Sequence, residues 1–343
     1  MLTVVTILLN FITGSFLIVF GVNVMGRTLE QANSQLLNNA MHLFTKNRWT
    51  SFLIGIFLTG LVQSSTAVTI LTIGFVDSGI IQLGSAVGIV YGANIGTTLT
   101  AQLMSFNISQ YAWYILIASC ILSFGPFKKL KTAGNTLAGI GLLFSGLNIL
   151  GRSVVFIKEN VLIAQWLQSH ADNLWFCLFA GLIVTMLVQS SSATVGMTIL
   201  LFNSGLLPFS AAVALTLGDN IGSCITAQIA SIRSGTAGKR TAWAHTIYNI
   251  IGVILVIVTF PQFCTFVRFF THLVNGDSTR LVANTHTIFN LLSAVIFLPI
   301  SKYYVKFLEY IVPEKKSNPL PGRAKKAAAC DRIPLQAQKR RNG

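Results

Sequence analysis

Apolar residues run through this chain in long blocks interrupted by short polar steps, with no strand-like alternation. The first block, residues 2–25, exceeds the roughly 20 apolar residues that cross a bilayer as helix and carries no small-residue cleavage site, so it reads as a retained helix. Residues 51–76 and 174–202 each hold a polar cluster at their middle, Gln63-Ser64-Ser65-Thr66 and Gln189-Ser190-Ser191-Ser192. Each block predicts two short helices meeting at a polar turn, a re-entrant hairpin that enters the membrane and leaves on the same side. The next blocks, 80–106 and 206–232, carry glycines on both sides of an Asn-Ile step, Asn94-Ile95 and Asn220-Ile221. Each predicts a spanning helix broken near its centre, where glycine frees the backbone to unwind.

These segments form a duplication. Both polar motifs recur at an offset of 126 residues, and Gly21–Arg27 recurs as Gly146–Arg152 at an offset of 125. One repeat covers residues 1–125 and the other 133–262, followed by a further membrane helix region, 263–312, and a basic tail, 313–343. If the hairpins re-enter, the first repeat crosses three times, over 2–25, 80–106 and 108–125. An odd count inverts the second repeat. Loop charge agrees, because Arg27, Lys46, Arg48, Lys128, Lys129, Lys131, Arg233, Lys239, Arg240, Lys302, Lys306 and the tail fall on one face. Only Arg152, Lys158, Arg268 and Arg280 fall on the other, and the positive-inside rule puts the richer face in the cytoplasm. The expected fold is thus an all-α integral membrane protein of two inverted-topology repeats, each with a re-entrant helical hairpin and a broken transmembrane helix, C-terminus inside.

Composition excludes a soluble domain of this size. Of 343 residues, 53% are hydrophobic and 10% charged, against about 25% charged in soluble domains. The five cysteines, Cys120, Cys177, Cys224, Cys264 and Cys330, show no metal-ligand spacing and predict neither a metal site nor a disulfide framework. A formal charge of +15 invites a nucleic-acid reading, but the tail concentrates it. That tail has no apolar periodicity and reads as a disordered cytoplasmic segment, solvated or touching anionic lipid. Nucleic acid is not expected as a partner, and oligomeric state, monomer or homo-oligomer, stays open.

Polar clusters inside apolar segments are costly in a bilayer, so a duplicated set predicts a functional site built from two halves. Each cluster offers an amide and hydroxyls that suit an oxyanion, and the helix starting after the turn adds free N–H groups and its positive dipole end. The same oxygens, with Asn side chains and freed carbonyls, suit a hard cation such as sodium. No Lys or Arg lies within a dozen residues of either cluster, so a bound dianion needs co-bound cations to offset its charge. Asp219, the one acidic residue well inside a spanning block, is the expected cation ligand, and its counterpart Ala93 cannot share that role. Against this stand packing roles, since Ser and Thr in membrane helices often bond the backbone one turn back. Packing is also the expected role of Gly-x-Asn-x-x-Gly-Arg. His245-Thr246-Ile247-Tyr248-Asn249 recurs as His286-Thr287-Ile288-Phe289-Asn290; His and Asn four apart share a helix face, so each pair is expected to bond across to a neighbouring helix in a structural role, as extra scaffold of the second half.

Together these residues resemble the sodium/phosphate cotransporter family, marked by a duplicated Gln-Ser-Ser-Ser hairpin, over nearly the whole membrane portion. The resemblance implies sodium-coupled transport of inorganic phosphate across the plasma or bacterial inner membrane, with no enzyme activity and no cofactor beyond the coupling ion. It implies a substrate site at Gln63, Ser64, Ser65, Thr66, Gln189, Ser190, Ser191 and Ser192, and sodium sites at Asn94, Thr97, Thr98, Asp219, Asn220 and Ser223. Thr66 departs from the motif but keeps the hydroxyl, whereas Cys224, opposite Thr98, does not. Many bacterial relatives continue into a helical domain resembling the phosphate-uptake regulator, and this chain is expected to be the type that lacks it. Two other readings stand beside transport of phosphate by sodium: a carrier of another small oxyanion or a phosphate exporter, and an intramembrane hydrolase with a cluster serine as nucleophile.

Overall fold

The computed structural model describes residues 2–35, 47–106 and 108–314; Lys46, Cys330 and the tail from 315 onward lie outside the described residues. Every regular element among the described residues is helical. The helices are α1 (Leu2–Ala32), α2 (Arg48–Val62), α3 (Ser65–Asp77), α4 (Leu83–Met104), α5 (Ala112–Ser123), α6 (Lys128–Glu159) and α7 (Val161–Ala171). They continue as α8 (Leu174–Val188), α9 (Ser191–Asn203), α10 (Phe209–Gly222), α11 (Ile225–Ser231), α12 (Thr236–Val258), α13 (Phe260–Leu273) and α14 (Leu281–Ile311). Four helices, Val4–Ala32, Lys128–Glu159, Thr236–Val258 and Ser278–Ile311, are long and apolar enough to cross a membrane, and two bent pairs raise the number to as many as six. Apolar side chains such as Leu8, Phe16, Leu187 and Ile254 are more than half exposed, as lipid-facing residues are in a multi-pass membrane protein.

The duplication is built in three dimensions by equivalent caps and equivalent glycines. Asn47 and Asn173, at the same offset of 126 as the clusters, accept backbone N–H bonds at the starts of α2 and α8. Gln63 and Gln189 then turn the chain in the left-handed region, φ 58° and 53°. Ser64 and Ser190 cap α3 and α9 by accepting from Ala67 N and Ala193 N at 3.2 and 3.3 Å. Gly79 and Gly205, φ +74° and +76°, turn it again, at an angle that glycine adopts without steric cost.

Close backbone approach explains the repeated glycines of the two halves. A Cβ on Gly92 would stand 2.1 Å from the Phe52 carbonyl oxygen, and one on Gly218 1.9 Å from that of Leu178. Gly55 and Gly181 face Ile89 and Leu215 in the same way. α4 therefore lies parallel to α2, and α10 to α8, with α3 and α9 linking them along the chain. This also corrects the expected first break: α4 is continuous through Asn94-Ile95-Gly96, because Gly92 and Gly96 remove bulk for contact with α2 and leave the helical hydrogen bonds intact. In the second half the interruption falls at Ser223-Cys224, between α10 and α11. A second difference concerns 108–125, where α5 has only 12 helical residues, about 18 Å at 1.5 Å per residue.

α1 and α6, the first helices of the two repeats, pack antiparallel through reciprocal contacts. Gly14 meets Gly146 and Gly21 meets Gly139, while sequence equivalence pairs Gly14 with Gly139 and Gly21 with Gly146. The contacts therefore run between glycines that are not equivalent in sequence. A buried aromatic group, with Tyr91 and Tyr248 rings stacked at 4.3 Å and Phe297 edge-on to both, joins α4, α12 and α14.

One tether breaks the symmetry. Asp77 at the end of α3 accepts from Gly235 N and Gly238 N at 2.8 and 2.6 Å and so caps α12 from 158 residues away. Its counterpart is Asn203. Asp77→Ala is expected to cost about 1 kcal/mol, the usual worth of a cap, read as a lower unfolding temperature in detergent. An unchanged midpoint would show that the cap is redundant.

Candidate functional site

The two polar clusters meet. A cavity of about 110 Å³, several times the space of one water, is lined by Gln63, Ser64, Ser65 and Thr66 from the first cluster and by Gln189, Ser190, Ser191 and Ser192 from the second. Val19, Val22 and Asn23 of α1 form one wall, and Thr97, Gly222, Ser223 and Thr226 complete it. All eight residues expected around the substrate are here. The serines occupy the caps and first turns of α3 and α9, so both helix N-termini face the cavity. Their unpaired N–H groups and dipole ends favour an anion. No charged side chain belongs to the lining.

The halves differ in how they hold their glutamines. Thr100 Oγ1 donates to Gln63 Oε1 at 2.7 Å, and Gln63 Nε2 donates to the Gly60 carbonyl. Gln189 makes no side-chain hydrogen bond among the described residues and is exposed. Its amide is therefore the less restrained of the two. Across the cavity, Thr66 and Thr226 hydroxyls lie 3.3 Å apart and join the hairpin of one half to α11 of the other.

The residues expected to hold a cation separate into two groups. Thr97 and Ser223 line the cavity. Asn94, Thr98, Asp219 and Asn220 are buried behind it. Thr98 Oγ1 donates to the Ile95 carbonyl at 2.8 Å, and both asparagines are bonded to α12 or α14. Asp219 is fully buried, accepts from Thr185 Oγ1 at 2.8 Å, and keeps Oδ2 without a partner. Thr194 Oγ1 lies 2.9 Å from Thr185 and 3.3 Å from the Ser190 carbonyl oxygen. A line of oxygens thus runs from the cavity wall to the carboxylate. The first half has Thr59, Val68 and Ala93 at these places, and Thr59 Oγ1 is buried without a partner, having no carboxylate to meet.

Two lining residues, Asn23 and Thr226, and the Thr185–Thr194 pair behind the cavity escaped the sequence reading. Asn23 was expected to pack, whereas it faces the cavity from α1. Thr226 and the Thr185–Thr194 pair were missed because no motif marks them. The offset of 126 would have found Thr226 opposite Thr100 and Thr185 opposite Thr59.

A helical membrane protein with a polar, uncharged cavity between two duplicated helix N-termini is a transport architecture in form. The chain belongs to the Na+/Pi-cotransporter family, whose model matches residues 17–152 and 160–275. It is 29% identical to the uncharacterized protein YqeW of Bacillus subtilis over 312 residues, 90% of this chain and 99% of that protein. It is 24% identical over 312 residues to YjbB of Escherichia coli K12, whose name assigns it provisionally to inorganic phosphate export; the match covers 90% of this chain and 56% of YjbB. The chain thus spans about half the length of YjbB. Sodium-dependent phosphate transport protein 2A of Ovis aries is 30% identical over 149 residues, 39% of this chain and 23% of that protein. No solved structure matches.

Proposed function

We propose that the protein carries inorganic phosphate together with sodium across the plasma membrane, exposing the cavity between the two clusters to each face in turn. The observation that carries this reading is the convergence of both Gln-Ser-Ser clusters on one cavity without a charged side chain. Phosphate is held by the first-turn N–H groups of α3 and α9, the hydroxyls of Ser64, Ser65, Thr66, Ser190, Ser191 and Ser192, and the amides of Gln63 and Gln189. Sodium offsets its charge. Asp219 is the proposed principal ligand, backed by Thr185, Thr194 and the Ser190 carbonyl, while Thr97 and Ser223 are placed to share an ion with the anion. Asn94, Thr98 and Asn220 support these ligands from behind.

The two halves serve as inverted repeats and α2–α3 and α8–α9 as re-entrant hairpins, supported by the antiparallel α1–α6 pair and the reciprocal glycine contacts. The cation-rich face, with the C-terminus, lies in the cytoplasm. A carrier is reversible, so import or export follows from the gradients acting on it. The hydrolase reading has no support in the lining, which contains no His, Asp or Glu to act as general base.

Substrate class is tested by competition. Arsenate, also tetrahedral and doubly charged near neutral pH with exchangeable protons, should suppress labelled phosphate uptake at comparable concentration. Sulfate and small carboxylates should not. Equal inhibition by sulfate would assign the cavity to another oxyanion.

A further inference from the structure

The two His-x-x-x-Asn pairs lie outside the cavity, yet each reaches the asparagine of a different half. His245 Nε2–H donates to Asn94 Oδ1 at 2.8 Å, and Asn94 Nδ2 donates to Asn249 Oδ1 at 3.3 Å. Asn290 Nδ2 donates to Asn220 Oδ1 at 3.0 Å. α12 therefore serves the first half and α14 the second, so the pairs are not scaffold of one repeat. The glutamines complete the exchange: Gln102 Nε2 donates to Thr287 of α14 at 2.9 Å, and its counterpart Gln228 donates to Thr246 of α12 at 2.6 Å. Each helix of the pair thus touches both halves through equivalent residues.

The two connections are equivalent in position and unequal in state. Asn94 is held by both members of its pair. Asn220 is held by Asn290 alone, and its Nδ2 turns back to the Thr216 carbonyl of its own helix at 2.8 Å. Among the described residues no hydrogen bond joins His286 to Asn220, and Asn290 Oδ1 is buried without a partner, although the Asn249 oxygen is used. Tyr248 of α12 donates to the Asn290 carbonyl at 3.2 Å, which links the two connections. Buried polar groups left unpaired are uncommon in folded proteins; Nδ1 of both histidines is unpaired, but Asn290 Oδ1 is unpaired where its equivalent, Asn249 Oδ1, is used.

We propose that His245 and His286 are positioning residues that work in alternation. In the state described here His245 grips Asn94 while His286 is free of Asn220. In the opposite-facing state His286 and Asn290 hold Asn220 and His245 releases Asn94. The inference rests on the alternating-access reading above, and adds to it the groups that distinguish the two states. The exchange is a trade of hydrogen bonds between two halves whose asparagines stand three residues before Thr97 and Ser223 in sequence.

The test uses the full chain in proteoliposomes with cysteine in place of Val19, which lines the cavity. Labelling by an impermeant maleimide is applied from each face and measured against the same chain without that cysteine. His245→Ala should shift the ratio of labelling between faces at least about threefold in one direction, and His286→Ala a similar amount in the other. His245→Gln, whose amide can still donate, should return toward the parent ratio. Phenylalanine at either position keeps ring volume and supplies a second variant should an alanine variant fail to fold. Shifts in the same direction, or none, in a parent that takes up phosphate would overturn the switch. Opposite shifts in a parent without phosphate uptake would uphold the switch and overturn the phosphate reading instead.

Discussion

Asp219→Asn is expected to raise the sodium concentration for half-maximal phosphate uptake by about tenfold or more, equivalent to about 1.4 kcal/mol, and to change phosphate affinity at saturating sodium far less. The substitution keeps shape and an oxygen able to accept from Thr185, so it tests charge rather than packing. A carboxylate sealed at 0% exposure with one oxygen unpartnered needs a positive counterpart to be stable in its charged form. The proposed sodium ion would supply it. The companion change Thr194→Val removes a hydroxyl from the line of oxygens and should weaken sodium activation in the same direction by a smaller factor. A variant whose sodium curve overlays that of the wild type would remove Asp219 from the cation site and leave the asymmetry between Asp219 and Ala93 without a transport role.

Gly218→Ala is expected to abolish accumulation of folded protein. The added Cβ would lie 1.9 Å from the Leu178 carbonyl oxygen and 2.8 Å from Leu182 N, and all three obstacles nearest it are backbone. A side chain could swing aside; two helices held by the same ridge of glycines cannot part without opening the contacts at Gly181 and Gly222 as well. Overpacking in ordinary cores costs roughly 1–3 kcal/mol, and here the strain falls on a helix pair that carries the cap of α9 and the Asp219 carboxylate. Gly92→Ala, at 2.1 Å from Phe52 O, should behave alike. Gly151→Ala, which meets nothing within 4 Å, should accumulate normally. Size-exclusion profiles of the three variants decide the matter, and a monodisperse Gly218→Ala protein would contradict the packing account.

Much of the fold was legible because the chain states it twice. The Gln-Ser-Ser turns appear in both halves as left-handed glutamines followed by capped helices, since a polar step inside an apolar block has few other ways to satisfy its backbone. The glycine-flanked Asn-Ile steps misled in the first half, where glycine signals close approach as readily as unwinding and only the neighbouring helix decides between them. The cavity membership of Asn23 was invisible for a related reason: nothing in a local motif says which face of α1 meets the second cluster. Which residues the His-x-x-x-Asn pairs of α12 and α14 reach was not legible, because His245 contacts Asn94 across 151 residues and the pairs' own offset of 41 obscures their relation to the main duplication.

The central claim, that phosphate moves through this cavity with sodium as its required companion, is tested most directly in proteoliposomes loaded without sodium. Adding sodium outside should drive accumulation of labelled phosphate above its equilibrium level, and choline at equal concentration should give only background. Equal uptake in sodium and choline would contradict the coupling, and no uptake in either would contradict phosphate transport itself.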